Sequence, residues 1–416
     1  MNTLKKHTIQ VFEHQLLRID EAKDGFIFTK PYYDNLAAFA EQHSEKYYSI
    51  QRNGIRFSHY VGALQVNNLT IEILPKTDIT EESAVQKVLL DLLRECRILR
   101  PEAENVSYLS ARKGNLLDLY IAQFLSDTEK LLHQGLIKTF HSVTENRRSL
   151  KGRLLLHKQL IQNAWHQERF YTAYNNFDYH HPYNQLIYEA LQVLKNIVLH
   201  PVLLFKIQEL LHRFPNLPRW TKPYPAMETL KFNQQSNHYA SAIRTALLIL
   251  QHFQPDVRAG NLPVLAILFD MNALFEEFVF RQLQKAADDT ISIQRQVRRS
   301  FWEQRYLQPD ILLTMNNQRI VLDTKWKRLK KVKPEMDDLR QMFVYNQYFD
   351  AARSVLMYPK IKGLNDLPPV PFQPTSGSDA IYACQIIFIE LEKNSILNQN
   401  LGNELLEKIN TFNINF

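Results

Sequence analysis

The chain has 416 residues but only two cysteines, Cys96 and Cys384, far apart in sequence. That scarcity excludes a disulfide framework or a thiolate zinc site and fits a reducing cytoplasm. Ten glycines and eighteen prolines are too few for a collagenous or low-complexity chain. A hydrophobic content of 45% is too high for disorder. The longest unbroken apolar run, Val264 to Phe269, is six residues, against the ~18 to 20 needed to cross a bilayer. No membrane span is expected. The N-terminal MNTLKKHTIQVFEHQ has two lysines but no apolar stretch behind them, so no secretory signal is expected either. A GxxxxGK[ST] phosphate loop is also missing, so the chain is not expected to hydrolyse nucleotide itself.

What is present is length enough for two or three domains, each burying its own core. The formal net charge is +7. Its distribution is uneven: residues 291–340 hold twelve Lys/Arg against six Asp/Glu. A basic face around isolated acids suits an anionic polymer, and a solvated charged surface is the alternative.

Periodicity predicts an α+β multidomain chain. Residues 1–110 read as a strand-rich N-terminal domain with two helices, Tyr32–His43 and Glu81–Cys96. Leu64–Leu74 reads as a hairpin, with Asn67-Asn68 tolerating the positive φ of a tight turn. Residues 111–258 read as a helical middle region, with helices near Leu116–Leu136, Leu154–Trp165, Tyr183–Leu199 and Tyr239–Phe253. Residues 259–416 follow a distinct order. A helix near Leu265–Ala287 precedes strands at Ile291–Arg299, Leu307–Met315 and Arg319–Trp326, then a helix near Glu335–Phe349 and strands at Ser354–Tyr358 and Cys384–Leu391. That order predicts a mixed sheet flanked by helices.

The chemistry concentrates in Gln308–Trp326. Two apolar strands meet at Asn316-Asn317; Asp310 begins the first, and Asp323 and Lys325 lie in the second. Residues i and i+2 share a strand face, so Asp323 and Lys325 should point the same way. Carboxylates and an ammonium within apolar strands are costly unless paired or metal-bound. Two carboxylates with a carbonyl and waters suit octahedral Mg²⁺, and the lysine could assist a water or a phosphate. The alternative is a buried structural ion pair. In the following helix Gln341 and Tyr345 are four apart and share a face. Phe170, Tyr171, Tyr174, Phe177, Tyr179 and Tyr183 are expected to pack between helices rather than stack on bases.

Pro309-Asp310, Asp323-Thr-Lys325 and the trailing Gln341-x-x-x-Tyr345 together resemble the PD-(D/E)xK nuclease superfamily. Phe269-Asp-Met-Asn-Ala-Leu-Phe-Glu-Glu-Phe-Val279, Tyr60–Val66, Leu69–Lys76, Gly152-Arg-Leu154 and Asn184–Leu191 resemble McrC, the nuclease subunit of the McrBC modification-dependent restriction system. The resemblance implies a C-terminal PD-(D/E)xK core and an Mg²⁺-dependent DNA endonuclease. By position it makes Asp310 and Asp323 metal ligands with the Thr324 carbonyl, Lys325 the catalytic lysine, and Glu276 an added acid from the first helix. Glu277 competes for that last place. Gln341 and Tyr345 would be orienting or DNA-backbone residues. Lys327, Arg328, Lys330 and Lys331 could contact phosphates of double-stranded, methylated DNA, or form a solubilising loop. The resemblance further implies a McrB-like AAA+ GTPase ring as partner, which binds the GTP and whose GTP hydrolysis this chain would stimulate, with residues 1–110 as the ring-binding candidate. A non-cleaving regulator of the ring and a stand-alone nuclease are the competing readings.

Overall fold

The computed structural model describes residues 6–42, 45–77, 82–100, 115–255, 262–329, 331–373, 381–393 and 396–411. Among these residues the chain is mixed α+β, with several sheets and ten α-helices. It forms two compact units drawn from non-consecutive stretches. Met1–His7, Leu64–Thr70 and Glu102–Ile267 make one; Thr8–Ala63, Ile71–Pro101 and Leu268–Phe416 make the other. The middle region read at 111–258 thus lies within the first. No described helix is long and apolar enough to cross a membrane.

In the first unit, helices Leu116–Gln134, Pro182–Ile197, Pro201–Arg213 and Ala240–Gln251 follow from apolar spacing and good starts. The Asn115 side chain accepts the Asp118 amide at 2.8 Å, and prolines open the second and third helices, where no intrahelical donor is lost. Leu186, Ile187, Ala190, Leu191 and Leu194 bury one face of the second.

Sequence periodicity missed the strands between these helices. Thr139–Arg147 and Phe170–Asp178 pair antiparallel over nine residues, from Thr139↔Asp178 to Arg147↔Phe170. Phe170, Tyr171, Tyr174 and Phe177 therefore do not pack between helices as expected but lie along this ribbon, where the exposed rings of Phe177 and Phe140 meet tilted at 4.6 Å. Tyr183 is buried on the helix Pro182–Ile197, as expected. Asn184 donates to the carbonyls of Ile137 and Tyr179 at 2.8 and 2.9 Å, and Tyr239 donates to Asn184 at 2.9 Å, fastening the ribbon's root. Gly152 has φ +76°, and a Cβ there would lie 2.5 Å from the Ala173 carbonyl oxygen. Only glycine fits. The helix expected at Leu154–Trp165 shrinks to Leu156–Gln162.

The second unit contains helices Lys30–Gln42 and Glu82–Glu95, the latter burying Val85, Val88, Leu89, Leu92 and Leu93. Its largest sheet belongs to the C-terminal stretch. The elements are α1 (Met271–Ala286), β1 (Ser292–Arg295), β2 (Ile311–Met315), β3 (Gln318–Thr324), α2 (Met336–Phe349), β4 (Arg353–Pro359), β5 (Leu367–Pro371), β6 (Ala383–Ile389) and α3 (Leu401–Asn410). The sheet order is β1-β2-β3-β4-β6-β5. β1, β2 and β3 pair antiparallel, β3, β4 and β6 pair parallel, and β5 returns antiparallel on β6. The sheet is mixed, as expected.

Two boundaries differ from expectation. The helix read from Leu265 begins at Met271, because the apolar run Val264–Asp270 is a strand. Such a run suits a strand buried on both faces as well as a helix. Asp270 then caps the helix, accepting the Asn272 amide at 2.8 Å. The strand expected through Arg299 stops at Arg295 and the one expected from Leu307 starts at Ile311, and an unexpected separate hairpin, Arg299–Trp302 with Arg305–Leu307, forms between them.

Candidate active site

The Asn316-Asn317 turn has φ of 52° and 60°, the conformation that asparagine tolerates in a two-residue hairpin loop. It fixes the register Met315↔Gln318 through Ile311↔Leu322. One step further along, Asp310 and Asp323 arrive at the same end of the ribbon. Thr324 locks Asp310: its amide and hydroxyl both donate to Asp310 Oδ2, at 2.7 and 2.9 Å.

Asp323 is 1% exposed. Its Oδ2 is 2.7 Å from Lys325 Nζ but has no hydrogen bond of good geometry. Burial, reinforced by the Asp310 carboxylate and partly offset by Lys325, pushes the Asp323 carboxyl up to about 7. For Lys325, burial acts to lower the ammonium's pKa, but Asp323 and Asp310 outweigh it and hold the group above its ordinary value. The parallel strand β4 fixes the lysine's backbone, whose amide donates to Met357 O at 2.9 Å.

A chain of hydrogen bonds leads away from the ammonium. Lys325 Nζ donates to Gln341 Oε1 at 3.0 Å, Gln341 Nε2 donates to the Tyr345 hydroxyl at 2.9 Å, and Tyr345 donates to the Gln308 carbonyl at 3.1 Å. The i, i+4 spacing on α2 makes this relay possible. Asp310, Asp323, Thr324, Lys325, Gln341 and Tyr345 thus form one connected group.

On α1, Glu276 accepts from Gln296 Nε2 at 2.9 Å and from Arg295 at 3.2 Å. Burial, then the Asp310 carboxylate, raises its pKa. Glu277 instead pairs with Arg281 and Arg295. Of the basic run, Lys327 reaches Glu335 at 2.8 Å and Asp338 at 3.5 Å, while Arg328 donates to the carbonyls of Lys76 and Thr77. Lys331 is exposed, and Lys330 lies outside the described residues.

Sequence reading passed over four contributors. Asp338, buried on α2 three residues before Gln341, takes the Tyr358 hydroxyl at 3.1 Å and adds to the field on Asp323. Its i, i+3 spacing from Gln341 was the available signal. Arg295 and Gln296 carried none, since their partner Glu276 is reached only through the fold. Trp326 Nε1 donates to the buried Glu13 at 2.8 Å, a contact across the whole sequence.

Two carboxylates with a buried, under-bonded oxygen fit a divalent cation. Among the described residues no group of three His, Cys, Asp or Glu could hold a metal ion. A carbonyl and waters would have to complete the shell, as Mg²⁺ tolerates.

A family model described as "McrBC 5-methylcytosine restriction system component" matches residues 55–359, well over half of the chain. The chain belongs to that family. A solved structure described as a refined half-complex from a tetradecameric assembly of Thermococcus gammatolerans McrB AAA+ hexamers with bound McrC is similar in fold. Its TM-score is 0.65 at 20% identity, covering 97% of this chain and 100% of that one. A cryo-EM structure of the Thermococcus gammatolerans McrBC complex aligns with a TM-score of 0.49 at 19% identity, over 68% of this chain and 89% of that one. No curated protein matches the chain.

Proposed function

We propose that this chain is the DNA-cutting subunit of a modification-dependent restriction system and works with an AAA+ GTPase ring. The observation that carries the reading is the gathering of Asp310, Asp323 and Lys325 at the end of β2 and β3, with Gln341 and Tyr345 behind the lysine. The mixed sheet with α1 and α2 is then a PD-(D/E)xK core. The partner follows from family membership and from the neighbour described as McrC bound to McrB hexamers. Residues 1–110 are assigned the ring contact.

Asp310 and Asp323, with the Thr324 carbonyl, would hold Mg²⁺. Glu276 is preferred to Glu277 as the further acid, because Asp310 acts on it while Glu277 is taken up by two arginines. A bound Mg²⁺ would polarise a phosphoryl oxygen and lower the pKa of an attacking water. The chain's own groups do the rest. Thr324 fixes the Asp310 carboxylate, so that its orientation is set before substrate arrives. Lys325, held charged by Asp323, places a cation where negative charge grows on the phosphate. Gln341 and Tyr345 set that cation's position.

The test is cleavage of methylated duplex DNA by the chain with its GTPase, GTP and Mg²⁺. Asp323→Ala and Lys325→Ala should each lower cleavage by roughly 10²-fold or more, while stimulation of GTP hydrolysis persists. Folded variants that cut at the wild-type rate would end the reading.

A further inference from the structure

The hairpin between β1 and β2 has no part in the site just described, yet it grows directly out of it. Its first strand leaves from Arg295 and Gln296, which hold Glu276, and the Gln296 amide donates to the Asp310 carbonyl at 3.0 Å. Its second strand ends at Gln308, whose carbonyl terminates the relay from Lys325 through Gln341 and Tyr345. Arg298 Nε clips the two stems together through Gln308 Oε1 at 2.8 Å. At the root, Val297 and Leu307 pack on the apolar cluster containing Leu312, Met342 and Tyr345.

Beyond that root the hairpin has no core. Phe301, Trp302 and Tyr306 are 49%, 58% and 57% exposed. Large rings on a water-covered hairpin are unfavourable unless something covers them. The charge is one-sided: Arg295, Arg298, Arg299 and Arg305 face a single acid, Glu303, between residues 295 and 306. Arg299 is tied to the Tyr348 carbonyl and Asp350, which braces the hairpin against α2. Arg305 meets no carboxylate among the described residues; its guanidinium lies 6.0 Å from the Trp302 ring centre. Exposed rings beside guanidiniums suit a grip on duplex DNA, the cations meeting phosphates and the rings packing against the groove wall or wedging at a base step.

We infer that residues 299–307 are a DNA-holding hairpin, which seats duplex DNA beside the reacting phosphate through Trp302, Tyr306 and Arg305. The inference rests on the endonuclease reading and adds to it where the substrate is held. Because both stems are hydrogen-bonded to the candidate site, DNA gripped by the hairpin is positioned relative to Asp310 and Lys325.

The experiment measures binding of a fluorescein-labelled DNA duplex to the full chain by anisotropy, with Ca²⁺ replacing Mg²⁺ to suppress cutting. It compares the wild type with Trp302→Ala/Tyr306→Ala and with Arg305→Ala. These side chains are exposed, so the melting temperature should be unchanged and reports folding. The aromatic double variant should bind the duplex roughly tenfold more weakly. Arg305→Ala should reduce the slope of log affinity against log salt by about one. Wild-type binding retained in full by folded variants overturns the hairpin's role and leaves the nuclease reading intact. Variants that bind DNA normally but lose association with the GTPase, or with a second copy of the chain, overturn it in favour of a protein contact. A wild type that neither binds nor cuts duplex DNA, alone or with its GTPase, overturns both readings.

Discussion

Strands β4 and β6 bury every residue and β3 buries its last five, yet Asp323, Thr324, Ser354 and Gln385 lie among them. Along Thr139–Arg147 and Phe170–Asp178, only Thr172 is fully buried, and phenylalanine rings face water. Parallel strands covered on both faces have no room for polar groups without a compensating partner. A ribbon of two long strands, with only the short Arg153–Leu154 added at one edge, has no core of its own and depends on backbone pairing and cross-strand contacts. In the sheet the anomaly is charge inside, and it marks chemistry. In the ribbon the anomaly is apolar surface outside, and it marks a face built for contact.

The largest expected effect separates the two by stability. Leu322→Ala, at a fully buried site beside Asp323, should destabilise the chain by about 2–5 kcal/mol through lost burial and a residual cavity. Phe177→Ala should remove the ring pair with Phe140 and the Lys138 cation over the ring, about 0.5–1.5 kcal/mol. Chemical denaturation of both variants checks this. Equal losses would mean that the ribbon contributes to a core and would break the comparison.

A smaller effect sharpens what the buried polar groups do. Gln341→Ala removes the acceptor of Lys325 and the donor to Tyr345 without touching either carboxylate. Cleavage should fall roughly tenfold, as for loss of one hydrogen bond to a charged group, with unchanged DNA affinity. Gln341→Glu keeps an acceptor for the ammonium and should recover part of the rate. A fall in affinity with an unchanged rate would instead place Gln341 on the DNA backbone.

Much of the sheet was legible because its signals are local. The paired asparagines set the β2–β3 register, and that register alone brings Asp310 alongside Asp323. Gln341 and Tyr345 were legible from helical spacing. The ribbon was not, because Phe170–Asp178 has rings at irregular intervals rather than clean alternation. Its pairing also spans Arg148–Arg169, a separation that no local window covers. Val264–Asp270 was misread because a fully apolar run carries no period. Contacts such as Trp326 with Glu13 depend on the finished fold and leave no local trace.

Glu13 tests the limit of equating buried charge with chemistry. It is buried and accepts from Trp326 Nε1 and, at 2.8 Å, from the Lys76 amide. Burial raises its pKa, and these two donors only partly oppose the shift. A carboxyl raised on folding contributes stability that is complete below its unfolded pKa and is lost as pH climbs through the folded one. Glu13→Gln keeps an acceptor for both donors and removes the ionisation. The wild type should therefore lose stability relative to the variant as pH rises above ~4.5. Paired thermal melts across that range measure the difference. A gap that stays constant with pH would mean that Glu13 ionises as easily folded as unfolded. If cleavage holds steady in the variant, Glu13 is a structural anchor for the strand end that carries Lys325, and buried charge marks chemistry only where a second carboxylate converges on it.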